Sequence, residues 1–98
     1  MSHSNTTIDP KAVAAHVLRH LAREQKRGRL VRLDELATAI GVRRPDVRRV
    51  VASLHAEGHV DAERMKLTMT GLALAAAMRD CALREPRTVK RSRQVRAA

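Results

Sequence analysis

Apolar residues recur at helical spacing in three stretches, each bounded by residues that start or stop helices. Val13, Val17 and Leu21, with Ala14 and Leu18, form the first stripe. Asp9 is placed to cap its start, Pro10 sits at the first helical position, and Ile8 can staple onto Val13. Gly28, after Lys26 and Arg27, reads as its stop. Arg29 to Leu33 alternates as a short strand would. Asp34 opens a second, short helix with Leu36, Ala37 and Ile40 inward, and Gly41 ends it. A tight turn, Gly41-Val42-Arg43, leads to a third helix starting at Arg44-Pro45, with Val47, Val50, Val51 and Leu54 on its inner face and Gly58 after its end. From His59 to Leu67 the period becomes two. Val60, Ala62, Met65 and Leu67 point inward, Asp61, Arg64 and Lys66 point outward, and a turn near Glu63 makes a small antiparallel hairpin. Thr68 or Thr70 caps a last, Ala-rich helix running to about Leu83. Each of the four glycines, at 28, 41, 58 and 71, reads as punctuation at an element end.

The apolar period is lost after Leu83. Arg84 to Ala98 carries six basic residues against one acid, which predicts a disordered basic tail over residues 84–98. Residues 1–7 are polar and are expected to be loose, leaving one domain over 8–83. With 98 residues and a formal charge of +10, half of that charge in the tail, the chain is strongly basic, and sixteen of its twenty cations are Arg. Phe, Tyr and Trp are absent, which counts against modules that stack bases on aromatic platforms. No apolar run approaches the length of a membrane span. The first nine residues lack the apolar stretch of a secretory leader, and Cys81 cannot close an internal disulfide. A cytoplasmic, nucleoid-associated protein is expected, with no membrane partner.

Two short helices joined by a tight glycine turn form a helix-turn-helix unit. Leu33 to Val42 resembles the first helix and turn of a bacterial winged helix-turn-helix, and Val47 to Val60 resembles the recognition helix running into the first wing strand. Leu67 to Ala75 is similar to the wing exit and following helix of MarR-like and related transcriptional regulators. The resemblance implies a mainly α fold with a small β-hairpin, double-stranded DNA as partner, and a homodimer through the helices over 10–27 and 70–83.

The candidate reading surface follows from the helix over 44–57. At about 100° per residue, its face opposite the valines holds Pro45, Arg49, Ala52 and Ala56, with Arg48 on one flank and Asp46 and Ser53 on the other. Arginine reads guanine O6 and N7 in the major groove, and base edges are usually approached by the N-terminal end of a recognition helix, where Arg43 and Arg44 sit. Cations there oppose the helix dipole, so an anion such as a phosphate is expected beside them. Arg64 and Lys66 on the hairpin are either phosphate contacts of the wing or ordinary solvated charges. Lys90, Arg91 and Arg93 in the tail either follow the phosphate backbone or serve solubility. Two histidine pairs, His16/His20 and His55/His59, have i, i+4 spacing but no accompanying metal motif. Cys81 is expected as a buried structural thiol. No phosphate loop or activated nucleophile appears, so no cofactor and no enzymatic activity are expected. The leading expectation is a transcriptional regulator that reads the major groove. A non-specific nucleoid-type DNA or RNA binder and a winged-helix protein–protein adaptor are the alternatives.

Overall fold

The computed structural model describes residues 6–89. In chain order the elements are β1 (Thr6–Ile8), α1 (Pro10–Lys26), α2 (Leu33–Ile40), α3 (Arg44–Ala56), β2 (Val60–Asp61), β3 (Lys66–Leu67), α4 (Met69–Ala77) and β4 (Arg87–Val89). The helix boundaries have local causes. The Asp9 carboxylate accepts from the backbone N–H of Lys11 at 3.1 Å and of Ala12 at 3.4 Å, and Pro10 follows where no donor is needed. Glu35 Oε1 accepts the Arg32 N–H at 3.1 Å, which fixes the start of α2. Gly41 ends α2 in the left-handed region at φ 83°, a conformation glycine adopts without a Cβ penalty. Thr68 accepts the Gly71 N–H at 3.1 Å and starts α4.

One aliphatic core holds the helices together. Val13, Val17 and Leu21 of α1, Leu36 of α2, Val47 of α3 and Val60 of β2 are fully buried, with Val50, Val51, Leu54 and Leu67 packed around them. Both stripes expected on α1 and α3 are therefore the inner faces of those helices. The hairpin β2–β3 is antiparallel, pairing Val60 with Leu67 and Asp61 with Lys66. Two contacts pin it to the helices and a third closes its base. The Leu67 N–H donates to Gln25 Oε1 of α1 at 2.9 Å, the Ala62 N–H donates to His55 Nδ1 of α3 at 3.1 Å, and the Thr68 hydroxyl donates to the Gly58 carbonyl at 2.7 Å.

The structure departs from expectation in five places. Arg29–Arg32 is an irregular connection rather than a strand. Its alternation reflects the burial of Val31, and among the described residues no neighbouring strand offers it a ladder. The last helix ends at Ala77, not near Leu83, because the Arg19 guanidinium donates to the carbonyls of Met78 (2.9 Å), Arg79 (3.4 Å) and Cys81. The Met78 carbonyl also accepts the Cys81 N–H at 3.1 Å, a tight turn that follows the end of α4. Cys81 consequently lies outside any helix and is exposed rather than buried. Gly71 lies inside α4, not at its end, and its reason is proximity to the hairpin backbone. Finally, a strand pair not foreseen joins the two ends: β1 pairs antiparallel with β4, Ile8 opposite Arg87 and Thr6 opposite Val89. This clasp is extended by the Asp9 N–H donating to the Pro86 carbonyl at 2.8 Å, the Arg84–Asp9 ion pair at 3.3 Å, and His16 Nε2 at 2.8 Å from the Arg84 carbonyl.

Candidate nucleic-acid interface

The site is built on α3. Because Val47, Val50, Val51 and Leu54 are drawn into the core, Arg43, Arg44, Pro45, Arg48, Arg49, Ala52 and Ser53 are all exposed. The α2–α3 turn fixes how that surface is presented. The N–H groups of Gly41 and Val42 both donate to the Ala37 carbonyl, at 2.8 and 3.1 Å, closing α2 tightly before α3 begins. Arg43 and Arg48 hold no ion pair among the described residues, so both guanidinium groups are available to an incoming acceptor. Arg49 lies 3.6 Å from Asp46 one turn back, with its side chain 74 % exposed. An exposed pair of this kind is worth about 0–1 kcal/mol, so it gives way readily to a better partner.

Arg44 is differently placed. Its Nε sits 3.0 Å from Asp34 Oδ1 of α2, so the anion expected beside the start of α3 is a carboxylate of the protein itself. This pair ties the two helices of the unit together and leaves Arg43 as the unengaged cation at that end.

The hairpin carries Arg64 and Lys66, both exposed. Arg64 Nε lies 3.8 Å from Asp61. The α1–α2 connection meets the hairpin tip in a cleft lined by Leu30, Val31, Arg32 and residues 63–66, which adds Arg32 to the wing cations. Pro10 and Lys11 at the start of α1 border a groove with Arg49 and Ser53, so Lys11 flanks the exposed face of α3. Neither neighbour was legible in the sequence, since Lys11 and Arg32 are brought in by the packing of separate elements. Lys90, Arg91 and Arg93 lie outside the described residues. Neither His16/His20 nor His55/His59 belongs to a metal-holding group among the described residues. His16 meets the terminal clasp and His55 the hairpin.

Two short helices around a glycine turn, the second with an arginine-bearing outer face, and a pinned hairpin define a winged helix-turn-helix. The chain belongs to the IclR helix-turn-helix domain family, whose pattern matches residues 12–64, more than half of its length. It carries the DNA-binding unit of a transcription regulator, and the match supports the IclR type rather than specifically the MarR-like one. Comparison with curated proteins and with solved structures finds no match. No helix among the described residues is long and apolar enough to cross a membrane.

Proposed function

We propose that this protein is a sequence-specific, double-stranded DNA-binding regulator whose helix α3 enters the major groove. The observation that carries the reading is the division of α3 into two faces. Four aliphatic residues are buried, and the opposite face presents Arg48 and Arg49 in mid-helix. These two are placed for base edges, and the planar guanidinium suits the paired acceptors of guanine. Arg43 contacts phosphate at the α3 start. Arg44 positions α3 through Asp34 and adds charge there. Pro45 and Ser53 complete the contact surface, Arg64 and Lys66 meet phosphate from the wing, and Lys90, Arg91 and Arg93 extend that electrostatic grip without reading sequence.

The protein acts as a homodimer in this reading. Helix α4 is apolar nearly all round but buries only Gly71 and Ala75, leaving Leu74 38 % exposed beside the small residues Ala73 and Ala77. Small side chains let a second copy approach closely, and a two-fold pair would match a palindromic operator. The protein works in the cytoplasm, in the nucleoid, without a cofactor and without catalysis.

Selection of bound duplexes from a random pool tests this. The expected result is an enriched, inverted-repeat sequence with half-sites about one helical turn apart, or a multiple of it. A pool that emerges without enrichment would assign the fold to non-specific binding or to an adaptor role.

A further inference from the structure

A second surface lies away from α3. Helices α1 and α4 diverge to leave a groove of about 600 Å³ whose floor is Ala22 of α1 with Leu72, Ala75 and Ala76 of α4. Its rim is cationic, with Arg23 and Lys26 on one side and Arg79 on the other. These three are exposed and hold no ion pair among the described residues, and no acidic side chain lines the groove. Arg19, at one end, is engaged with the carbonyls that close α4. The apolar surface continues past the groove. Met69 and Leu72 lie on the same side of α4 and are 83 % and 37 % exposed.

An apolar floor between cationic walls has a definite complement. Nucleic acid would match the rim but leave the methyl groups of the floor without a partner. A second copy would match the floor, but would bring its own Arg23, Lys26 and Arg79 against the same three cations, a like-charge juxtaposition that opposes docking. A protein segment that carries aliphatic side chains on one face, flanked by Asp and Glu, satisfies floor and walls together. We infer that the α1–α4 groove is a docking site for an acidic amphipathic helix of a partner protein. No residue of α3 lines the groove, so on the DNA-reading role proposed for α3 the groove stays open in the DNA-bound protein. The site therefore gives a DNA-bound regulator a place to receive another protein, independently of which sequence α3 reads.

The test uses the full chain and a synthetic helical peptide with a leucine stripe flanked by glutamates, read by fluorescence anisotropy and amide chemical shifts. The control peptide has lysine in place of each glutamate. The glutamate peptide binds and shifts the amides of Ala22, Leu72 and Ala76, and the lysine peptide does not bind. Reversing two rim charges, Arg23→Glu with Lys26→Glu, weakens binding by about tenfold or more. The same charge change on the other surface, Arg48→Glu with Arg49→Glu, leaves it within about threefold. Ala76→Gln fills the floor without altering charge and also weakens the peptide, which keeps the result readable if the charge reversal impairs folding. Equal weakening by the two double variants would show attraction to bulk charge and overturn the site. So would shifts confined to α3, displacement of the peptide by duplex DNA, or closure of the groove by self-association.

Discussion

Replacing Gly71 with alanine pits two well-understood effects against each other. Inside a helix, Gly→Ala ordinarily stabilises by about 1 kcal/mol, because the unfolded chain loses freedom and the helix gains propensity. Here the added Cβ would fall within the van der Waals shell of the His59 carbonyl oxygen and 3.0 Å from its carbon. That carbonyl cannot simply move aside. It accepts the Thr68 N–H at 3.1 Å, and the preceding carbonyl, of Gly58, accepts the Thr68 hydroxyl at 2.7 Å. Reaching an ordinary contact near 3.5 Å demands roughly one and a half ångströms of separation between α4 and the hairpin. Overpacking of this kind costs about 1–3 kcal/mol. Stretching the two Thr68 hydrogen bonds adds about 0.5–1.5 kcal/mol each. Set against the propensity gain, the net loss is about 1–5 kcal/mol, against a total of about 5–15. Thermal unfolding followed by circular dichroism should show a fall in Tm of roughly 4–8 °C for each kcal/mol lost. A variant as stable as the parent, or more so, would mean that propensity governs the site and that α4 does not press on the hairpin as described.

Leu54→Ala removes a side chain that is 5 % exposed from a core with no aromatic residue, and should cost about 2–5 kcal/mol in chemical denaturation. An unchanged midpoint would put the inner face of α3 elsewhere. Arg19→Ala takes away the external cap of α4, whose charged donor reaches three carbonyls, and should cost about 1–2 kcal/mol while speeding amide exchange over Ala75–Ala77. Unaltered exchange there would show that α4 ends for a reason of its own.

What was legible in the sequence shares one property. The boundaries of α1 and α2 and the buried face of α3 depend on residues within a turn of each other, such as Asp9 with Lys11 and Ala12, or Val47 with Val50 and Val51. What was missed depends on partners far along the chain. Nothing between Ala77 and Leu83 forbids helix, because Arg19 supplies the stop from α1. The alternation of Arg29–Leu33 was true of burial, yet a strand needs a neighbour to pair with, and the pattern carries no information on that. Gly71 looked like a terminator because glycine usually is one, whereas its role comes from the backbone of His59, twelve residues earlier and folded against it. The β1–β4 clasp joins the two ends of the described chain with three residues each, too few for a periodic signal. At the candidate site, the exposed arginines of α3 were readable from the helical wheel. The Arg44–Asp34 tie and the approach of Lys11 and Arg32 required the packed structure.

The claim that α3 reads base edges is tested most directly by comparing Arg49→Ala with removal of residues 87–98, on a selected site and on random duplex, across a salt series. Breaking the exposed Arg49–Asp46 pair costs little, so the loss measured for Arg49→Ala belongs to DNA. Arg49→Ala should lose about 1–3 kcal/mol on the selected site and much less on random duplex, with the salt dependence nearly kept. Removing residues 87–98 deletes five cations and should weaken both duplexes by similar factors, flattening the slope of log K against log salt by about 0.9 for each phosphate that is no longer neutralised. If Arg49→Ala instead weakens every duplex equally, while the truncation abolishes the preference for the selected site, α3 is not the reader.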